Sequence, residues 1–273
     1  YMEVRYPGQP EAPPYCEYTG TIDCKGDNCQ VIGISLPNSY DGIQLVGACR
    51  HLVRDVHGCP HHIGIYVDQI YDVGRIENVH FWPFAGVFRP EEPRWQWISE
   101  HGEAFIIGRT DWQYIYNCFV FGYNVGYHFI RTESGACNGN FVGLGADYSR
   151  TAAVLVDDCW MYGLLFINGQ FVAVPGDDPT AVKVSATNTG TVNFTNCASW
   201  GSFNQIANIE GKGFVSFNNC NFMHWDKNKR NRAAIRVAGG NLTVTGCQFM
   251  MPMRKNSPQV RIEQGAQAVT VGV

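Results

Sequence analysis

Arg54-Asp55-Val56-His57-Gly58-Cys59-Pro60 and Glu77-Asn78-Val79-His80-Phe81-Trp82-Pro83 align at a shift of 23 residues. The pattern returns as Tyr116-Asn117-Cys118-Phe119, Gly139-Asn140-Phe141, Ile167-Asn168-Gly169, Thr195-Asn196-Cys197, Asn218-Asn219-Cys220 and Thr245-Gly246-Cys247. Taking 55, 78, 117, 140, 168, 196, 219 and 246 as anchors, the intervals are 23, 39, 23, 28, 28, 23 and 27 residues. The long interval is absorbed by an insertion from Phe84 to about Gly102. Self-similarity at a period of 20 to 50 residues is the signature of a stacked repeat architecture.

Each anchor is preceded by a short stretch of alternating apolar residues. Examples are Gly42-Ile43-Gln44-Leu45, Gly64-Ile65-Tyr66-Val67-Asp68, Ala153-Val154-Leu155-Val156-Asp157, Ala181-Val182-Lys183-Val184, Ala207-Asn208-Ile209-Glu210, Ala234-Ile235-Arg236-Val237 and Gln259-Val260-Arg261-Ile262-Glu263. Period-two alternation over four or five residues marks half-buried strands, and no helical periodicity is sustained over three turns. Glycine and asparagine punctuate the strand ends, where tight turns need positive φ. A unit of this size cannot bury its own apolar face, so copies must stack. Stacking as an all-β, right-handed single-stranded parallel β-helix of eight to nine rungs puts equivalent residues about 4.8 Å apart. The anchor asparagines then form a ladder. Cys118, Cys197, Cys220 and Cys247, with Phe119, Phe171, Phe222 and Phe249, become interior stacks.

The division that follows is a loop-rich segment 1–30 and a β-helix over 31–273 carrying the insertion 84–102. Composition agrees: of 273 residues only 16% are charged, 30 are glycine and 45% are apolar, which excludes disorder. A net charge of −4 from 20 basic and 24 acidic residues gives no clear basic stripe, so nucleic acid is not an expected partner. No apolar run is long enough for a membrane-spanning helix. The start at Tyr1 and the strand-like ending Ala268-Val269-Thr270-Val271-Gly272-Val273 lead to the expectation of further chain at either end, or of a partner covering it.

Eleven cysteines are many for a reducing compartment. Cys16, Cys24, Cys29, Cys49 and Cys59 crowd the first sixty residues, where bridges such as Cys24 with Cys29 or Cys49 with Cys59 are expected without a fixed connectivity. Asn193-Phe194-Thr195 and Asn241-Leu242-Thr243 match the glycosylation acceptor. Both features favour a secreted or cell-surface protein. His57-Gly58-Cys59-Pro60-His61-His62 has metal-ligand residue types, yet His57 and Pro60 fall on His80 and Pro83 in the repeat. The segment therefore reads as a structural turn, and no metal site is expected.

The strand–turn–Asn-Cys-x-Phe rung resembles the right-handed parallel β-helix superfamily of pectate lyases, polygalacturonases and phage tailspikes over roughly residues 30–273. The resemblance implies a groove along one strand face and its flanking turns, binding a polysaccharide or oligosaccharide lengthwise. Of the polygalacturonase signatures only Asp157-Asp158 matches. Arg75-Ile76-Glu77 and Arg261-Ile262-Glu263 lack the terminal lysine, no Gly-His-Gly occurs, and Arg89-Pro90-Glu91-Glu92-Pro93-Arg94 misses the pectate-lyase register.

With Val154 and Val156 pointing inward, Leu155 and Asp157 face out. The same alternation places Asp68, Arg131, Lys183, Ser185, Glu210, Arg236 and Glu263 outward. Arg131 and Asp157, on adjacent rungs, are within reach of an ion pair. Asp157 and Glu210, two rungs and roughly 9.6 Å apart, fall near the carboxyl separation of inverting glycosidases. One would protonate the leaving oxygen while the other activates water. Asp157, Glu210 and Arg131 are the catalytic candidates; Asp68, Lys183, Arg236, Trp95 and Trp97 are the candidates for holding the sugar, the tryptophans as a wall of the groove or as a packing flap. A lyase would instead use a base and a cation among Arg131, Lys183, Arg236 and His128, with Ca²⁺ as the only cofactor in prospect. The primary expectation is a polysaccharide-degrading hydrolase or lyase. The alternative is a non-catalytic, tailspike-like adhesin or glycan-binding surface protein, with a homotrimer as its natural assembly.

Overall fold

The computed structural model describes residues 1–83 and 91–272, so the first part of the expected insertion lies outside the described residues. The chain is a parallel β-solenoid of about nine turns with one short helix. Ten parallel strands form the first sheet: Ile22–Cys24, Asp41–Val46, Ile63–Asp68, Glu103–Ile107, Val125–Phe129, Ala152–Val156, Thr180–Val184, Gln205–Ile209, Ile235–Val237 and Val260–Ile262. They number rungs 1 to 10. In each rung the chain turns into a second sheet, running from Gln30–Leu36 to Ala266–Gly272. Rungs 4 to 9 add a short third strand, from Phe119–Phe121 to Gln248–Met250. The first strand, Ile22–Cys24, falls inside the segment expected to be loop.

The corner that bends or ends each second-sheet strand explains the anchors. Asp55, Asn78, Asn117, Gly143, Asn168, Asn196, Asn219 and Gly246 all have φ between 50° and 64°. Asparagine tolerates this left-handed conformation better than other residues with a Cβ. Asn78 Nδ2 donates to Asp55 Oδ1 at 2.7 Å, and Asn196 Nδ2 to Asn168 Oδ1 at 2.7 Å, so the amides also tie rung to rung. One anchor is corrected. The left-handed residue of rung 5 is Gly143, not Asn140, which sits inside Cys137–Val142 opposite Leu165 and accepts a hydrogen bond from Trp112 Nε1 at 2.7 Å.

Inward-facing residues of the second sheet build an aromatic ladder. Phe141, Phe166, Phe194 and Phe217 stack with centroids 4.9, 4.7 and 5.1 Å apart, each at most 2% exposed. Phe171 and Phe222 meet this ladder edge-on from the short third strands. Phe119, expected inside, is half-buried and packs against His80 instead. The eleven cysteines are free thiols, which corrects the expectation of bridges. Cys49 accepts a hydrogen bond from Tyr71 N, while Cys59 lies buried at the start of a different turn. Cys24 and Cys29 touch through a thiol hydrogen bond; burial and that bond push Cys24 up to about 12. Contact with the Cys197 thiol, together with burial, pushes Cys220 up to about 12, as befits core thiols.

Helix α1 (Pro93–His101) begins on proline, which suits a first turn with no N–H to satisfy. It covers the edge where chains enter the first sheet. Trp95 is 5% exposed and packs on Tyr148 and against Gly122; Trp97 packs on Tyr15, Tyr40 and His101. Arg94 pairs with Glu11 of the N-terminal segment. Of the two roles expected for these tryptophans, the packing flap is the one their contacts describe.

Candidate functional site

The turns that leave the first sheet carry a dense polar cluster. Residues following each strand fall in one row up the stack: Asp68, Gly108, Ile130, Asp157, Ser185, Glu210, Ala238 and Glu263. Backbone bonds such as Asp157 N to Phe129 O and Glu210 N to Val184 O fix this register. Two positions earlier, the outward row runs His128, Leu155, Lys183, Asn208, Arg236 and Arg261.

His128 spans three rungs. Its Nδ1 meets Glu103 Oε2 at 2.7 Å and its Nε2 meets Asp157 Oδ2 at 2.8 Å. Burial opposes charge on this imidazole, but the two carboxylates outweigh it and raise the His128 pKa above its ordinary value. Asp157 also accepts from Ser185 Oγ at 2.6 Å. Arg131 does not pair with Asp157 as expected: its Nε donates to Asp158 Oδ2 at 2.6 Å. Asp158 is turned in to cap the backbone, accepting from Cys159 N at 2.9 Å and Thr189 N at 3.0 Å. Ile130, Arg131, Asp157, Asp158, Ser185 and Thr187 line an open cleft of about 690 Å³.

Glu210 stands two rungs from Asp157 with Ser185 between them, and accepts from Arg236 Nη1 at 2.8 Å. Arg236 binds Glu263 through two bonds of 2.7 Å. Lys183 is partly buried, and burial, partly offset by Asp178 and Glu210, lowers its pKa. Asp68, expected on the outer face, is 6% exposed: its Oδ1 accepts from Arg109 N at 2.8 Å and Thr132 Oγ1 at 2.9 Å. An aspartate at a strand exit closes orphan backbone donors of the next turn, a structural duty that alternation alone does not reveal. Trp95 and Trp97 lie at the opposite edge of the sheet and do not wall this cleft. Among the described residues, no three His, Cys, Asp or Glu side chains group to hold a metal ion.

Beside the cleft runs an aromatic ledge. The Arg109 guanidinium lies 5.3 Å from the Tyr71 ring centroid and 5.6 Å from that of Trp160. Gly135 supplies the close approach: its φ is +124°, and a Cβ there would sit 2.9 Å from Arg109 Cδ and 3.6 Å from the Trp160 ring. Tyr71 is 59% exposed, and Met161 and Tyr162 next to Trp160 are 69% and 67% exposed. Tyr71 and Arg109 come from turns of rungs 3 and 4 and Trp160 from the strand Cys159–Ile167 of rung 6, at unequal offsets, so no repeat position singles them out.

No protein-family model matches the chain, and no curated protein is similar to it in sequence. Among solved structures, one likeness is to the Streptococcus pneumoniae surface protein and adhesin PfbA. It is 8% identical, with 98% of this chain and 84% of that chain covered and a TM-score of 0.36.

Proposed function

We propose that the protein is a non-catalytic saccharide-binding β-solenoid, its binding edge formed by the Tyr71–Arg109–Trp160 ledge and the adjoining cleft. The ledge, exposed at Tyr71 and half-buried at Arg109 and Trp160, carries this reading. Ring faces suit the C–H faces of sugars, the stacked guanidinium holds them in place, and the cleft offers acceptors and hydroxyls at its side. Asp157 is held by His128 and Ser185, and Glu210 by Arg236, so both carboxylates are fixed in place as hydrogen-bond acceptors.

The test is a glycan panel read by direct binding, with reducing ends and unsaturated products followed in parallel. Wild-type protein is expected to bind without releasing products, and Trp160→Ala to bind about 10-fold more weakly, or worse, with its fold unchanged. Unaltered affinity in Trp160→Ala and Tyr71→Ala together would remove the ledge from the reading. The hydrolytic reading keeps one supporting observation, that Asp157 and Glu210 share a row two rungs apart. Product release that stops in both Asp157→Asn and Glu210→Gln would replace binding with hydrolysis.

A further inference from the structure

Charge is distributed unevenly along the solenoid. Residues 224–263 hold eight of the 20 basic residues and two of the 24 acidic ones, a net charge of +6, while the rest of the chain carries −10. Six of the eight basic side chains come from two consecutive turns that enter the first sheet at rungs 9 and 10, on the opposite edge from the ledge, and Arg236 and Arg261 stand on the strands that follow. Among the described residues, Lys227, Lys229, Arg230, Arg254, Lys255 and Arg261 have no carboxylate within 4.0 Å. Lys229, Arg230 and Lys255 are exposed. Elsewhere the ion pairs come mostly as local matches of one cation with one carboxylate; here the cations are left in excess.

The turns that present them are held in shape from beneath. Asp226 is fully buried, and its carboxylate accepts from Arg230 N at 2.8 Å, Asn231 N at 3.1 Å and Ser257 Oγ at 2.5 Å, joining both turns. Asn204 Oδ1 accepts from Asn228 N at 3.0 Å. Asp226, Lys229, Asn231 and Asn256 take left-handed backbone conformations, which are costly for an ordinary side chain and persist where the surroundings over-determine them. A loop so constrained aims its cations without having to order them on binding. Beside it, Gln205, Asn208, Arg232, Arg236 and Arg261 converge with Asp178 and Glu263 on a hollow of about 350 Å³ on the first sheet.

We propose that this basic edge is a binding site for a sulfated glycan. Like charges gathered on a preorganised surface raise the local concentration of a polyanion. Amides interleaved with the cations, Asn228, Asn231 and Asn256, match the hydroxyls of a sugar chain. Nucleic acid fits less well: Trp225, the tryptophan of this edge, is 2% exposed, so its ring offers no stacking face for bases. The density of unpaired cations over two rungs favours sulfate esters over the sparser charge of a carboxylated glycan.

The experiment measures binding of a fluorescent heparin oligosaccharide to the full chain. Unlabelled polygalacturonate, a neutral glucan, duplex DNA and anionic phosphatidylserine vesicles serve as competitors. Affinity is expected to fall at least about 10-fold between roughly 50 and 200 mM NaCl, as for other polyanions. Lys229→Glu/Arg230→Glu/Lys255→Glu is expected to bind at least 30-fold more weakly with an unchanged circular dichroism spectrum. Should that variant misfold, Lys255→Glu and Arg230→Glu alone are each expected to lose several-fold. Wild-type affinity in the reversed variants, or no binding by the wild type, overturns the site. Competition by polygalacturonate, DNA or vesicles as strong as by heparin overturns the assignment to sulfate. Trp160→Ala is expected to retain heparin binding, so the ledge and the basic edge succeed or fail separately.

Discussion

Acidification from pH 7 to pH 4 is expected to remove about 6 kcal/mol of folding stability through two histidines that the core holds neutral. His61 is fully buried, its ring 4.1 Å from that of Tyr15, and neither ring nitrogen has a hydrogen-bond partner among the described residues. Burial, with the nearby Arg94 charge, lowers its pKa to about 3. His51 is also fully buried. Its Nδ1 donates to Ala48 O at 2.8 Å and its Nε2 accepts from Gln113 Nε2 at 3.4 Å. Burial lowers its pKa to about 4, against the Ala48 bond and with the help of Arg75. Below about pH 6.5 the unfolded chain takes up protons at both rings and the folded chain does not. Stability is therefore present above that pH and is lost as pH falls toward the folded values, by about 3 kcal/mol for each ring at pH 4.

His128 and His62 have the opposite sign. Their pKa values are raised, so their contribution is complete below about pH 6.5 and is lost as pH rises through the folded values. They do not confuse the acid limb. Urea midpoints at pH 7 and pH 4 would check the assignment. His61→Leu is expected to be neutral or stabilising at pH 7, since the ring nitrogens it deletes have no partners to lose. It should also shed the His61 share of the acid loss, about 3 kcal/mol between pH 7 and pH 4. If His61→Leu and wild type lose the same amount, the burial of His61 is not what makes the fold acid-sensitive.

The architecture was readable because a stacked rung repeats the same steric demand at each level. The left-handed corner admits asparagine or glycine, and seven of the eight anchors were found from that pattern alone. The eighth failed where asparagine and glycine lie close together: Gly139-Asn140-Phe141 imitates the corner, while Gly143 makes it. Period-two alternation also placed Val154 and Val156 inside and Leu155, Lys183 and Arg236 outside. The Phe141–Phe217 ladder lies two residues before the left-handed corner in every rung, a constant offset that placing the rung-5 corner at Asn140 instead of Gly143 breaks.

The functional edge was harder to read, and the reason is geometric. Ion pairing between rungs depends on which way a side chain turns after leaving the strand. Asp157 and Asp158 are neighbours in sequence, yet one meets His128 and the other meets Arg131. Alternation stops at the strand end, so it placed Asp68 in solvent where the turn folds over it. The ledge of Tyr71, Arg109 and Trp160 draws on three rungs without a common offset, and nothing in a single repeat marks it. The basic edge was hidden by averaging: a net charge of −4 over the whole chain conceals +6 over residues 224–263.

Phe194→Ala is expected to cost about 3–5 kcal/mol, the usual range for truncating a buried phenylalanine. Phe194 is 1% exposed, lies between Phe166 and Phe217 at interplanar angles of 10° and 12°, and meets Phe171 edge-on at 5.9 Å. Its removal leaves a gap that backbone hydrogen bonds between rungs hold open, since the rungs cannot slide together without breaking the ladders of both sheets. In a solenoid, stability is close to a sum of neighbour interfaces, so damage at one rung weakens the cooperativity of the whole stack. Rung 7 separates the aromatic ledge on rungs 3 to 6 from the basic edge on rungs 9 and 10. Phe194→Ala should therefore melt in two steps, with amides of rungs 8 to 10 losing hydrogen-exchange protection before those of rungs 3 to 6. Between the two steps, any binding that depends on Trp160 should survive while binding at Lys229, Arg230 and Lys255 is lost. Adding Phe217→Ala should cost less than the sum of the single changes, because both act on one shared stack. A single cooperative transition lowered by less than about 1 kcal/mol would mean that the phenylalanine ladder does not couple the two edges.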